Sequence, residues 1–197
     1  MNLLAHAWLS FGHPEILVGN MISDFVKGKK KFDYSPGIQK GIMLHRAIDT
    51  FTDFHPATRA AKEFLKPAVG PYSGAFVDVV YDHFLANDIT EFTPASLQQT
   101  ALDTYAVLST FEQDLPSPFR QMLPYMSSQN WLFNYHTLPG IQKSFNGVVR
   151  RAAYLNSSDE VYALFELHYT SLQKCYKDFF PAVKAYTYAH LQTLLNQ

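Results

Sequence analysis

The chain has 197 residues and a mass of 22.5 kDa; 47% of the residues are hydrophobic and 17% are charged. This composition excludes a disordered chain and is sufficient for one substantial hydrophobic core. The formal net charge is −1, whereas a general nucleic-acid-binding protein carries a strong excess of basic residues. The single cysteine, Cys175, excludes an internal disulfide framework and a zinc finger.

The sequence carries no sign of a membrane or export segment. Its longest apolar runs are far shorter than a membrane-spanning helix. The first residues, MNLLAHAWLS, lack a basic region and place His6 inside the first apolar stretch, which does not fit a signal peptide. We therefore expect a cytoplasmic protein that binds neither membrane nor nucleic acid, and we leave its oligomeric state open.

Helix-start and helix-stop residues predict consecutive helices along the first half of the chain. Several of them begin at a proline, because the first helical N–H needs no partner inside the helix. The expected helices span about 2–11, 14–27, 36–53, 56–67, 74–88 and 94–110.

The second half is also predicted to be helical, with less regular spacing. Residues 111–128 read as short helices and turns, 138–153 as a helix, and 158–177 as a long helix, and Pro181 is expected to open the last one. No sustained alternation of apolar and polar residues argues for a sheet, and no repeat or linker divides the chain. We predict a single all-α domain over residues 1–197, with about eight to ten helices. The first, second, third and fifth should line one cavity.

The third predicted helix carries the most informative pattern. One helical face starts apolar and continues with groups that bind metals or transfer protons. The stripe consists of Ile38, Ile42, His45, Asp49 and Asp53. Carboxylates on an inward face are costly unless they are paired or coordinate a cation. The alternative is an ordinary surface helix in which Arg46 pairs with Asp49 or Asp53.

Three more predicted helices place a histidine or an aspartate on or beside an apolar face. His83 lies within the apolar face of the fifth helix and follows Asp82, Asp24 lies near the end of the second, and His6 lies in the first. Each by itself fits a solvated or satisfied core residue. Together with His45 they form a set of nitrogen and oxygen donors without thiolate, which suits Mn²⁺, Fe²⁺ or Mg²⁺ better than structural zinc.

A run of lysines follows the second predicted helix. The segment KGKKK, residues 27–31, contains Lys27, Lys29, Lys30 and Lys31. On its own such a run is typical of a solvated loop.

Five segments in this order resemble the bacterial acyl carrier protein phosphodiesterases, over almost the whole chain. They are NLLAHAWLS, GNMISDFVKG, GIMLHRAIDTFTDFHP, DVVYDHFL and NWLFNYHTLPGIQKSFNGVVRRA. The resemblance implies an all-helical fold distantly related to the HD phosphohydrolases. It also implies an Mn²⁺-dependent enzyme that removes the 4′-phosphopantetheine arm from holo-acyl carrier protein. The tandem here reads Asp82–His83 rather than His–Asp, so ligand roles of the HD pattern do not transfer by order.

This resemblance assigns expected roles to the candidate residues. A divalent cation would lower the pKa of a bound water and neutralise the phosphate. Arg46 could contact the phosphate through two N–H groups, and Asp24, Asp49 or Asp53 could serve catalysis, the last two by orienting or deprotonating the water. The expected metal ligands are Asp24, His45, Asp82 and His83, with His6 as a further candidate. The four lysines of 27–31 would attract the acidic carrier protein.

Two other classes of function remain open from the sequence. One is a different metal-dependent phosphohydrolase that acts on a nucleotide or a small phosphodiester and needs no basic rim. The other is a non-catalytic helical binding module whose histidines and aspartates are paired core groups.

Overall fold

The computed structural model describes residues 1–196, and within that range it contains eleven α-helices and no β-strand. The all-α prediction is confirmed, although the helix count exceeds the expected eight to ten because a four-residue helix forms separately after residue 130. The helices are α1 Leu3–Trp8, α2 Pro14–Ile22, α3 Pro36–Phe54, α4 Pro56–Val69, α5 Ser73–Ala86, α6 Pro94–Thr110, α7 Ser117–Ser128, α8 Trp131–Asn134, α9 Leu138–Arg151, α10 Asp159–Leu167 and α11 Tyr169–Leu195. In this part of the chain, no helix has both the length and the apolar character to cross a bilayer.

The first two helices end earlier than the sequence pattern predicts. Phe11 and Gly12 take positive φ values of 50° and 77°, a left-handed backbone that cannot continue α1. After α2 the chain forms two 3₁₀ turns, Ser23–Phe25 and Gly28–Asp33, instead of a helix that continues to residue 27. Asp24 therefore lies on a tight turn rather than on the face of α2.

In the last third of the chain, the break between two helices lies at a different residue from the one predicted. The break falls at His168, between α10 and α11, whereas Pro181 lies inside α11 and does not open a helix. A proline within a helix leaves the carbonyl four residues earlier without its N–H partner. Pro181 and Lys177 are both exposed, so that carbonyl can bond to water and the helix continues.

Helix α5 is the central helix of the core. Eleven of its 14 residues are buried, and it packs against α1, α4, α9 and α11. Residues 81–86, in the second half of α5, are all buried, so polar side chains there must find partners inside the protein. Asp82 and His83 are two such residues.

Helices α2 and α3 cross with their backbones in direct contact. Gly19 of α2 lies against Gly41 of α3, and a Cβ added to Gly19 would be 2.8 Å from the Gly41 Cα and would overlap the carbonyl oxygen of Ile38. Helix α1 packs on both α2 and α5. This close crossing brings the second half of α3 beside α1 and the end of α2.

We expect Gly19→Ala to lower the free energy of unfolding by about 2–3 kcal/mol, because its Cβ meets backbone that cannot move aside without separating α2 from α3. The matched control is Gly147→Ala in α9, where the nearest atom to the added Cβ, on Arg151, is 3.8 Å away. That substitution should stabilise the protein by about 0.5–1 kcal/mol. Urea unfolding followed by circular dichroism measures both, and equal effects of the two substitutions would contradict the close-crossing argument.

Candidate metal centre

Two buried histidines from different helices stack face to face. His6 of α1 and His45 of α3 have ring centroids 4.0 Å apart and ring planes 16° from parallel. Their exposed fractions are 3% and 5%. Because both imidazoles are buried, their ring nitrogens need hydrogen-bond partners inside the protein, and those partners fix the orientation of the rings.

Asn20 of α2 supplies those partners to both rings. His6 Nδ1 lies 2.7 Å from the Asn20 Oδ1, and His45 Nδ1 lies 2.7 Å from the Asn20 backbone oxygen. The Asn20 Nδ2 donates to the His6 backbone oxygen at 2.8 Å and to Ser10 Oγ at 3.1 Å, which fixes the direction of the amide. Because both carbonyl oxygens can only accept, each ring carries a hydrogen on Nδ1. The two Nε2 atoms are therefore the ones that face the site.

Two carboxylates lie against the Nε2 atoms. Asp49, one helical turn after His45, places Oδ2 3.0 Å from His45 Nε2 and Oδ1 3.3 Å from His6 Nε2. Asp24 places Oδ1 3.2 Å from His45 Nε2. The side chains of Asp49 and Asp24 are 40% and 79% exposed. The centre is thus closed on the histidine side and open to solvent on the carboxylate side.

The donor set fits a divalent cation. His6 Nε2 is buried and makes no hydrogen bond of acceptable geometry, although Asp49 Oδ1 is only 3.3 Å away. His6, His45 and Asp49 each place a ligand atom close enough for one ion to bind all three, and the Asp49 oxygens lie 3.0 and 3.3 Å from the two Nε2 atoms. Imidazole nitrogens together with carboxylate oxygens are common ligands of divalent cations. Asp24 can add a further oxygen from the open side.

The electrostatics of the cluster follow from this packing. Burial opposes the charge on His45, but the hydrogen bonds with Asp24 and Asp49 outweigh it and raise the His45 pKa to about 9. Burial also opposes ionisation of Asp49, yet His45 and His6 hold its pKa well below the usual range. For His6, burial and the neighbouring His45 lower the pKa. For Asp24, the hydrogen bond with His45 lowers the pKa. Without a cation, the favoured state is one imidazolium between two carboxylates.

The structure brings together three of the five residues expected as metal ligands. His6, Asp24 and His45 converge, and Asp49, expected in catalysis, joins them. Asp82 and His83 do not.

Asp82 and His83 face other partners from the central helix α5. Asp82 is fully buried and accepts hydrogen bonds from the backbone N–H groups of Leu4 and Ala5. Burial raises its pKa to about 7, against the opposing effect of those two bonds. The His83 ring lies 2.7 Å from the Tyr135 backbone oxygen and 3.0 Å from the Tyr169 hydroxyl.

Arg46 and Asp53 lie on the exposed side of α3. One Nη atom of Arg46 donates to the Val26 backbone oxygen at 3.0 Å, and Asp53 pairs with Lys62 of α4 at 2.7 Å. Neither residue contacts the other. The expected alternative, in which Arg46 pairs with Asp49 or Asp53 at the surface, is therefore not the observed arrangement.

The lysines of 27–31 belong to the turn that follows Asp24. Among residues 1–196, none of these four forms an ion pair with an acidic side chain. Lys27, Lys29 and Lys30 are exposed and Lys31 is partly exposed.

Sequence reasoning missed Asn20. The only signal available was an amide side chain in the otherwise apolar run of α2, one turn before Asp24. Its partners on α1 and α3 are distant in the sequence, so the pattern alone could not show that it orients both histidines.

Comparison with known proteins gives one consistent family. A family model described as acyl carrier protein phosphodiesterase matches residues 1–183. Curated proteins named acyl carrier protein phosphodiesterase from Salmonella dublin, Salmonella paratyphi A and Salmonella agona are each 32% identical to this chain over 186 residues. Each alignment covers 94% of this chain and 96% of the relative. No solved structure matches, so the likeness to HD phosphohydrolases stays a prediction.

Binding of Mn²⁺ at this centre should tighten as the pH rises. Below the His45 pKa of about 9, Nε2 carries a proton that the cation must displace, whereas His6 and Asp49 already have free ligand atoms. The affinity should therefore increase about tenfold per pH unit near neutrality and level off as the pH reaches that pKa. Isothermal titration calorimetry in buffers of different ionisation enthalpy should show close to one proton released per ion. An affinity independent of pH would rule out His45 as the ligand that loses a proton.

Proposed function

The chain belongs to the acyl carrier protein phosphodiesterase family, and from this membership we propose that it removes the 4′-phosphopantetheine arm from holo-acyl carrier protein. The observation that carries the proposal is the convergence of His6, His45 and Asp49, from helices α1 and α3, in a chain of this family. The reaction is hydrolysis of the phosphodiester between the arm and a serine of the carrier protein. We also propose that it acts in the cytoplasm and that residues 1–197 form one catalytic domain.

We propose His6, His45, Asp49 and Asp24 as the residues that hold the metal, with Mn²⁺ preferred and Mg²⁺ or Fe²⁺ as alternatives. When bound, such a cation supplies charge neutralisation for the phosphodiester and lowers the pKa of a water molecule. Asn20 keeps both Nε2 lone pairs aimed at the ion by holding the Nδ1 hydrogens. Asp82 and His83 are not among the proposed ligands, because their polar atoms are engaged elsewhere.

The chain supplies a proton acceptor at the open side of the centre. Asp24 touches His45 through Oδ1 and is mostly exposed, so its other oxygen faces the solvent from which water and substrate arrive. Its lowered pKa keeps it ionised near neutral pH. We assign to Asp24 the acceptance of a proton from the attacking water.

We propose that two basic side chains, Arg46 and Lys62, bind the phosphate at the same opening. Arg46 follows His45 directly, and within residues 1–196 it donates one side-chain hydrogen bond, to the Val26 backbone oxygen, so its other N–H groups can bind a phosphate oxygen. Asp53, one turn beyond Asp49, holds Lys62 at 2.7 Å. In this proposal Asp53 contributes at the rim by fixing the Lys62 ammonium near the phosphate, and Asp24 is the better placed proton acceptor.

The proposed docking surface for the carrier protein is the basic turn Gly28–Asp33 with Lys27. It begins four residues after Asp24, and Arg46 ties the intervening Val26 to the metal-bearing helix α3. Acyl carrier proteins are acidic, so unpaired lysines here attract the partner and orient its modified serine toward the centre.

Substitution Asp49→Asn should reduce hydrolysis of holo-acyl carrier protein at least about a hundredfold, because it removes the carboxylate that faces both Nε2 atoms. Intact-mass analysis of the carrier protein, incubated with enzyme and Mn²⁺, reports loss of the arm. The control is Asp103→Asn, an exposed aspartate on α6 that should retain wild-type activity. A strong chelator should abolish the wild-type activity, and activity that persists in chelator would refute metal dependence.

Replacing Lys29, Lys30 and Lys31 with glutamate should raise the KM for holo-acyl carrier protein about tenfold or more, because attraction becomes repulsion. Hydrolysis of a small phosphodiester, where measurable, should change little. Wild-type turnover at subsaturating carrier protein should fall with salt, since surface charges are screened within about 8–10 Å.

The matched control carries the same charge change at exposed lysines on α9 and α11. It replaces Lys143, Lys174 and Lys177 with glutamate. A rise in KM of the same size in this control would show a general effect of net charge. Equal losses on both substrates in the first variant would show that the lysines of the turn support the fold or the metal centre instead of docking.

A further inference from the structure

Helix α1, which carries His6, lacks its own N-terminal cap. It has only six residues, and the side chain of its N-cap residue, Asn2, accepts no hydrogen bond from the helix. The Asn2 amide instead donates to the Tyr135 hydroxyl at 2.9 Å. A helix this short is not stable by itself, and its first N–H groups need acceptors.

The carboxylate of Asp82 provides those acceptors from the central helix. Its Oδ2 accepts from Leu4 N at 2.7 Å and its Oδ1 from Ala5 N at 3.2 Å. These are the second and third residues of α1, the positions that an N-cap side chain normally serves. The partners are 78 and 77 residues apart in the chain, so the cap is a tertiary contact.

We propose that Asp82 is a positioning residue for the metal centre: it replaces the missing N-cap of α1 and thereby fixes His6. This inference rests on the proposed function, because it assumes that His6 serves the centre. Asp82 is fully buried and both of its oxygens are bonded to backbone N–H groups, so it acts through the helix and not on the cation.

The negative charge of Asp82 is more stable beside the first N–H groups of α1 than it would be on a buried carboxylate without partners. A carboxylate without partners in the core is strongly disfavoured, whereas two N–H groups and the positive end of a helix compensate it. The same interaction places α1 at a fixed distance from α5. His6 directly follows Ala5 in α1, so a shift at Leu4 or Ala5 moves its ring relative to His45.

His83 adds a second, indirect hold on the same end of α1. Its ring nitrogen lies 2.7 Å from the backbone oxygen of Tyr135, and the hydroxyl of Tyr135 accepts from Asn2. Asp82 and His83 therefore both hold residues 2–5. Asp82 accepts hydrogen bonds from Leu4 and Ala5, and His83 acts through Tyr135 on Asn2.

A double-mutant cycle between Asp82 and His6 separates positioning from direct ligation. Asp82→Asn should raise the Kd for Mn²⁺ about tenfold, measured by calorimetry or by electron paramagnetic resonance of the free ion. In a His6→Ala background the same substitution should change the Kd by less than about twofold, because its effect passes through His6. A further loss of tenfold or more in that background would show that Asp82 binds the ion itself and would overturn the proposal.

Hydrogen exchange gives a readout that does not involve the metal. In Asp82→Asn the amides of α1 should exchange faster than in the wild type, and Asp103→Asn should leave them unchanged. At saturating Mn²⁺, Asp82→Asn should recover a kcat on holo-acyl carrier protein near the wild-type value, since every proposed ligand is still present. Unchanged exchange in α1 would overturn the proposal.

The wild-type protein crystallised with Mn²⁺ tests the same point without any variant, in case Asp82→Asn does not fold. Both Asp82 oxygens should remain on Leu4 N and Ala5 N, beyond the roughly 2.0–2.3 Å of a metal–oxygen bond. An Asp82 oxygen within that distance of the ion would refute the positioning role. Mn²⁺ binding without hydrolysis of carrier protein would count against the proposed substrate and leave this inference standing.

Discussion

One asparagine sets the direction of two histidines, and the candidate metal centre depends on that constraint. Asn20 uses its side-chain oxygen for His6 and its backbone oxygen for His45. Both imidazoles then present Nε2 to the same point, where Asp49 faces them. The other neutral tautomer would turn the Nδ1 lone pair toward a carbonyl oxygen, which is an unfavourable contact, and would put a hydrogen on Nε2, where it would block a cation.

The constraint requires that helices α1, α2 and α3 keep the separation that allows both 2.7 Å contacts of Asn20. The contact of Gly19 with Gly41 sets the spacing of α2 and α3, which brings the Asn20 backbone oxygen within reach of His45. The hydrogen bond that α1 donates to Asp82 sets the position of α1, which carries His6. Polar groups inside the core thus fix the helices around a centre in which, without a cation, the His45 imidazolium lies between Asp24 and Asp49.

A short stretch of chain joins the buried centre to the surface. Asn20 is fully buried, Asp24 is mostly exposed, and the lysines of 27–31 lie in solvent, all within twelve residues. After the early end of α2, the two 3₁₀ turns Ser23–Phe25 and Gly28–Asp33 carry Asp24 and the lysines. An enzyme that acts on a protein-bound arm needs this proximity between recognition and chemistry.

The sequence by itself determined the helical class, most helix starts, and the stripe in which His45 and Asp49 follow Ile38 and Ile42. Prolines at helix starts and helical periodicity are local signals, so they can be read from the sequence without knowledge of the fold. The same local information flagged His6 and Asp24 as candidates. It also predicted, wrongly, that Pro181 begins a helix. The sequence does not show that Lys177, whose carbonyl loses its N–H partner to this proline, is exposed.

Only the tertiary structure separated the ligand candidates from the residues that support them. His45 and His83 look alike in the sequence, since each is a histidine on an apolar helical face beside an ionisable residue. One of them faces a carboxylate and a second imidazole, and the other faces a backbone oxygen and a tyrosine hydroxyl. What a buried polar side chain does depends on the groups opposite, and here His6 and Tyr169 come from helices distant in the sequence.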